Sequence, residues 1–276
     1  MSETVRARAS AGGDAPGGAG IAVLLPFYNE EAWLPRTLES LATQHRPPGE
    51  IILVDNGSTD NSRTIAEARA DRFPDARVCV LEEPRPGKIH ALAKGLAAVS
   101  APFVALCDAD TLYPPHYLAA ALAAFADDER TVAVLATDLY AAPACLRSLA
   151  KRARIAAVGR LLARQCHSGG YGQIFRTDVL RACGGFSEAI WPFVLEDHEI
   201  VHRVLKYGPV RYPFVLWCHP ADRRDRNART RWTLAERLLY HLTPFAMKDW
   251  FFYRFLWQRW SRRDLRNVRL RQRNWA

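Results

Sequence analysis

The sequence predicts an α/β fold: a mostly parallel sheet with helices on both faces, followed by a basic aromatic helical extension. Three observations predict it. Strand-like and helix-like segments alternate over the first 110 residues. The strand-like segments are apolar throughout instead of alternating, as strands covered on both faces are. Polar residues with chemical capacity (Asn29, Asp55, Asp108, Asp110) stand just after the strand ends, and sheets of this kind bind ligands along that rim.

The elements follow in order. Residues 1–20, rich in Ala, Gly and Ser, read as a disordered leader; without an apolar core they do not make a signal peptide. Ile21–Leu25 is a buried strand that ends at Pro26, and a helix with Trp33, Leu38 and Leu41 on one side starts from Glu30. Ile51–Val54 is the second strand, running into Asp55-Asn56-Gly57-Ser58-Thr59-Asp60, whose last residue can cap the next helix. Val78–Leu81 is the third. Ile89, Leu92, Leu96 and Val99 mark a helix face, and Phe103–Leu106 is the fourth strand. The pattern then loosens: an Ala-rich helix over Tyr117–Phe125, a strand over Val132–Ala136, a helix over Leu146–Arg164, glycine loops at Gly169-Gly170 and Gly184-Gly185, a helix over Glu196–Tyr207 and a last strand over Val210–Trp217. The domain division is 21–221 for the α/β unit and 222–276 for the extension.

Bulk properties narrow the function. A chain of 276 residues with 49% apolar and 24% charged residues is an ordinary globular composition. Six scattered cysteines without a C-x-x-C pair read as reduced thiols, not a zinc site or disulfide framework. No apolar run is long enough to span a bilayer. The net charge of +9 is concentrated late: residues 222–276 hold 15 Lys or Arg against 5 Asp or Glu, leaving 23 against 24 before them. A nucleic-acid-binding core is therefore not expected.

Asp108 and Asp110 raise the chemical question. Two carboxylates this close repel, and desolvating them costs free energy. They are either an Asp-rich turn before the helix that follows Pro114-Pro115, or the seat of a divalent cation, which prefers oxygen ligands and cancels the repulsion. A strand would present both on one side.

Six pieces in order then carry a resemblance: Pro26-Phe27-Tyr28-Asn29-Glu30, Val54 to Asp60, Gly87-Lys88, Asp108-Ala109-Asp110, Gly184-Gly185-Phe186 and Glu196-Asp197. Over roughly residues 20–220 the chain resembles the family 2 glycosyltransferases of the GT-A type. The resemblance implies a GT-A Rossmann-like fold, a nucleotide-sugar donor, a divalent metal (Mn²⁺ or Mg²⁺) and inversion at the anomeric carbon. It implies Asp110 as the metal seat bridging the diphosphate, with His219 reaching metal or diphosphate, and Asp108 on the ribose hydroxyls. Asp55 would bind base or ribose and Lys88 the nucleotide, while Pro26, Asn29 and Glu30 shape the first loop around the base. Gly170 would let the backbone approach the donor sugar or acceptor. Asp197 would be the general base, its pKa raised by the apolar wall Trp191–Leu195, and Glu196 would orient it or touch the acceptor. Structural readings stand beside these: Asp55 as a turn former, Lys88 as a solvated helix-start lysine, the acids of Glu196–Glu199 as a helix N-terminus favoured by its dipole.

Only Arg231-Trp232 remains of the Q-x-x-R-W sequence of processive relatives, so a non-processive enzyme is expected, cytoplasmic or peripheral on the inner face of the cell membrane. The hydroxyl acceptor is a lipid, a glycan intermediate or a small metabolite. The alternatives are a non-catalytic nucleotide-sugar-binding module and a nucleotidyltransferase, which would want a Gly-rich basic phosphate loop near the N-terminus. From Phe245 to Trp260, 8 of 16 residues are aromatic, interleaved with Lys248, Arg254 and Arg259. That segment reads as an anionic-membrane contact led by Trp250, Phe251, Phe252, Phe255 and Trp257, as a helix packed on the domain, or as a nucleic-acid surface.

Overall fold

The computed structural model describes residues 20–222 and 232–268, together with the backbone of residues 4–6. In chain order the elements are β1 (Thr4–Arg6), β2 (Ile21–Phe27), α1 (Leu34–Ala42), β3 (Glu50–Asp55), α2 (Ser62–Ala68), β4 (Arg77–Glu82), α3 (Lys88–Ala98), β5 (Phe103–Cys107), β6 (Thr111–Leu112) and α4 (Tyr117–Ala126). There follow β7 (Ala133–Leu135), β8 (Thr137–Asp138), α5 (Leu146–Leu161), β9 (Gly172–Arg176), α6 (Thr177–Ala182), α7 (Glu196–Val204), β10 (Val210–Arg211), β11 (Trp217–Pro220), α8 (Leu234–Leu242) and a last helix, α9, over residues 248–262.

The main sheet runs β1-β4-β3-β2-β5-β9-β7-β10. Strands β4, β3, β2 and β5 are parallel, with Ala22 opposite Val104 and Leu25 opposite Leu53. Their side chains feed two apolar layers, one under α3, α6 and α7, the other under α1 and α4. Burial on both faces explains the unbroken apolar runs. At Gly95 an added Cβ would lie 2.1 Å from Leu24 Cδ1, so a larger residue would lift α3 off the sheet.

Several expectations are corrected. Thr4–Arg6, read as part of the disordered leader, pairs antiparallel with β4. Strand β2 passes through Pro26 to Phe27 instead of ending there. Central strand β9, antiparallel to β5 and β7, went unread because only Ile174-Phe175 of its five residues are apolar. The last strand divides at Pro213 into β10, which closes the main sheet, and β11, which joins β6 and β8 in a small second sheet. Helices α5 and α7 stop at Leu161 and Val204, one turn short of the pattern. Arg231 and the last arginines, Arg269, Arg271 and Arg273, lie outside the described residues.

Candidate active site

The ends of β2, β3 and β4 are joined into one rim by side-chain hydrogen bonds. Asn29 adopts left-handed backbone geometry, φ 54°. Its amide N–H donates to Ser58 Oγ (3.1 Å), and its Oδ1 accepts from Thr59 N (2.8 Å). The Glu30 N–H donates to Ser62 Oγ at 2.7 Å, and Asp60 accepts from Ser62 N and Glu31 N, tying the start of α2 to the first loop. Buried Asp55 accepts from Ser58 N at 2.8 Å, the turn-forming bond. Asn56 donates to the carbonyls of Glu83 and Arg85 and accepts from Gly87 N (3.0 Å), which sets the entry to α3. Asn29, Glu30 and Asp55 thus build the rim.

Below that rim a narrow cleft is lined by Pro26, Lys88, Asp108, Gly170, Gln173, Glu196 and Asp197, among others. Six of these come from five separate sequence predictions; Gln173, on the unread β9, does not. Lys88 Nζ lies 2.5 Å from Asp108 Oδ1. Burial opposes the lysine's charge, but Asp108 first, then Glu196, more than offset it and hold its pKa above the ordinary value. The two acids at the start of α7 are driven apart. Burial pushes Glu196 up to about 7, with neighbouring Asp197 adding to the rise. Burial also works against Asp197, but the His198 ring, bonded at 3.1 Å, the His198 N–H at 2.8 Å, and Lys88 together hold it below the ordinary aspartate value. The expectation that the apolar wall raises Asp197 is therefore corrected: the raised carboxyl is Glu196.

The backbone fits tightly against Asp197. A Cβ on Gly170 would sit 3.1 Å from the Asp197 Cβ, so a larger residue would push Asp197 or the loop by a few tenths of an ångström. Gln173 Nε2 donates to the Asp197 carbonyl at 3.2 Å, while its buried Oε1 has no hydrogen-bond partner among the described residues.

Asp108 and Asp110 are not on a strand. Strand β5 ends at Cys107, and the Thr111 N–H donates back to the Asp108 carbonyl at 3.3 Å, making a turn. The Asp108 N–H donates to Tyr113 Oη, which donates in turn to the Tyr171 carbonyl, both at 2.8 Å. The Asp110 carbonyl accepts from Ala221 N (2.8 Å), and His219 lies opposite Leu112 in the small sheet. Asp110 and His219 therefore belong to the β6–β11 side and are not among the residues that line the cleft. Among the described residues no three His, Cys, Asp or Glu side chains are grouped to hold a cation alone. A nucleotide-bridging cation needs fewer: Mg²⁺ commonly takes one or two carboxylates and completes its shell with phosphate and water. The Asp108–Asp110 turn offers two carboxylates, of which Asp108 is paired with Lys88.

The extension packs directly behind α7. Trp191, Phe193 and Val194, the residues just before the two acids, share one apolar cluster with Tyr240, Phe251, Phe252, Leu256, Trp260 and Leu265. Arg203 grips Glu199 with two bonds of 2.7 and 2.9 Å, and Tyr253 Oη donates to the same carboxylate. Asp249 accepts from Lys206 and bonds His202 Nε2 at 2.7 Å. Asn267, fully buried, accepts from Ile89 N (3.3 Å) and donates to Glu196 Oε2 (3.1 Å). Its 178-residue separation from α3 hides this role in the sequence. Phe251 and Phe252, expected at a membrane interface, are buried here, and Arg259 and Arg263 are drawn to buried Glu236. Trp250 remains 43% exposed.

Comparisons agree with this architecture. The profile described as Glycosyl transferase family 2 matches residues 22–180. The undecaprenyl-phosphate 4-deoxy-4-formamido-L-arabinose transferase of Serratia proteamaculans is 38% identical over 99 residues, which are 35% of this chain and 30% of that protein. The validoxylamine A glucosyltransferase of Streptomyces hygroscopicus subsp. limoneus is 36% identical over 110 residues, 38% of this chain and 24% of that protein. The chain thus aligns with less than a third of these relatives' length. Among solved structures, the mannosyltransferase PcManGT of Pyrobaculum calidifontis, in complex with GDP-Man and Mn²⁺, superposes with a TM-score of 0.63 at 24% identity, covering 82% of this chain and 64% of that one. TarS 1-349 of S. aureus, in complex with UDP-GlcNAc, gives 0.56 at 20% identity, covering 88% and 73%. Fold and rim define a GT-A type α/β protein. The chain belongs to glycosyl transferase family 2.

Proposed function

We propose that the cleft transfers a sugar from a nucleotide-sugar donor to a hydroxyl acceptor, with inversion and one transfer per encounter. The observation that carries this reading is the convergence of Pro26, Lys88, Asp108, Gly170, Glu196 and Asp197, six residues from distant segments, on one cleft. The acceptor oxygen attacks the anomeric carbon as the bond to the diphosphate oxygen breaks. Its proton passes to Asp197, the ionised member of the acid pair, and the nucleoside diphosphate leaves. Lys88 supplies positive charge close to Asp108, where the leaving diphosphate needs it. Glu196, its pKa raised by burial and its carboxyl fixed by Asn267, carries less negative charge beside the base than an exposed glutamate would. A divalent cation held by Asp110, with His219 at the edge, would neutralise developing charge on the diphosphate, and Asp108 would meet the ribose hydroxyls.

The acceptor class is a lipid, a glycan intermediate or a small metabolite; the names of the two relatives above, one acting on a lipid phosphate and one on a small molecule, support keeping that range. A panel of UDP-, GDP- and dTDP-sugars with Mn²⁺ or Mg²⁺ tests the reading through release of nucleoside diphosphate. Metal-dependent release from at least one donor, lost in Asp110→Ala, is expected. No release from any donor, or release unaffected by chelation, contradicts it.

A further inference from the structure

The face formed by α5, α8 and the start of α9 has no task in the reaction above. Among the twelve most exposed large apolar side chains of the described residues, Leu234, Leu238 and Leu242 lie on α8, and Leu161 lies at the end of α5. Leu234, Leu238 and Leu242, four residues apart on α8, are 84%, 58% and 68% exposed, while Glu236 and Tyr240 of the same helix point into the fold. Side chains at this spacing share one side of a helix. Leu161, at the end of α5, is 82% exposed. The two helix ends are adjoining: Gln165 Nε2 donates to the His241 carbonyl at 3.1 Å, and the Arg164 guanidinium lies 5.2 Å from the centre of the Phe245 ring.

An outward leucine stripe on a helix costs solubility unless something covers it. Charge says what. Helix α5 has no acidic residue in 16 positions, and Arg147, Arg154 and Arg160 are exposed along it. Arg164 and Arg237 are exposed beside the leucines. The acids near the face are engaged elsewhere: Glu236 is buried with Arg259 and Arg263, and Asp249 bonds Lys206 and His202. A second copy meeting this face with its own would set arginine against arginine, an unfavourable juxtaposition. Leucines in the middle with cations at the edge match a surface that is apolar within and anionic at its boundary.

We propose that this face docks the protein on an anionic lipid surface. It is not the surface expected from the sequence: Phe251 and Phe252 of the tail form core, and the leucines of α5 and α8 take their place. The proposal does not depend on the transferase reading.

Co-sedimentation of the full chain with vesicles of phosphatidylcholine alone, or with added phosphatidylglycerol, tests it. Sedimentation is expected only with phosphatidylglycerol and should weaken with salt. Leu238→Ser with Leu242→Ser should lower partitioning roughly tenfold or more. Arg164→Gln and Arg237→Gln should each lower it about fivefold, while all variants keep the wild-type melting temperature. Equal binding to neutral vesicles, no binding to anionic ones, or partitioning indifferent to both sets of variants would overturn the proposal. So would a concentration-dependent dimer in light scattering that the leucine variants dissolve, because a second copy would then be the occupant.

Discussion

Asp197→Asn is expected to lower glycosyl transfer by about 10²–10⁴-fold, the range that general-base catalysis contributes, while leaving donor affinity close to wild type. The substitution keeps the side chain's shape and an oxygen for the His198 N–H, which donates at 2.8 Å, and removes the negative charge together with the capacity to take a proton. Rapid-quench or steady-state transfer assays beside equilibrium donor binding separate the two effects. Transfer within a few-fold of wild type would move the base to Glu196, whose pKa of about 7 suits the task next best. Glu199, the third acid of the segment, is not available: it is buried and held by Arg203 and Tyr253.

Trp260→Ala should destabilise the fold by about 3–5 kcal/mol, the usual cost of truncating a large buried aromatic, which is a large share of a typical domain's stability. Trp260 is buried against Trp191, with ring centres 5.5 Å apart, and its indole N–H donates to buried Glu236 at 3.3 Å. The cavity would open directly behind the residues that lead into Glu196 and Asp197, so transfer should fall along with stability. Trp250→Ala, on the exposed side of α9, should change stability by no more than about 0.5 kcal/mol. Urea denaturation of the two variants checks the contrast. A Trp260→Ala protein as stable as wild type would show that the extension does not belong to the fold.

The parallel half of the sheet was legible because its strands are buried on both faces and say so in unbroken apolar runs. Ordered polar pieces at their ends located the cleft. Strand β9 was hidden by its brevity and its polar ends, although it brings Gln173 under Asp197. The Asp108–Asp110 segment was placed correctly but given the wrong geometry, since composition does not tell a strand end from a turn one residue later. The aromatic density of residues 245–260 suits a membrane interface or a protein core equally well. What decides between them is Trp191 and Phe193, more than fifty residues earlier, which form the other half of that cluster. Asn267 bridging Ile89 and Glu196 is a long-range contact with no local signature. The pKa assignment failed for a related reason: His198, adjacent in sequence, holds Asp197 low, whereas the apolar wall covers the extension.

The central claim is that a nucleoside diphosphate binds at the cleft beside the Lys88–Asp108 ion pair. Calorimetric titration of UDP and GDP, with and without Mn²⁺, into wild type, Lys88→Ala and Asp108→Asn tests it most directly. Binding of at least one nucleotide that requires Mn²⁺ is predicted. Affinity should drop about 10- to 100-fold in each variant, the worth of one charge-assisted contact. Wild-type affinity in both variants would place the nucleotide elsewhere and contradict the account.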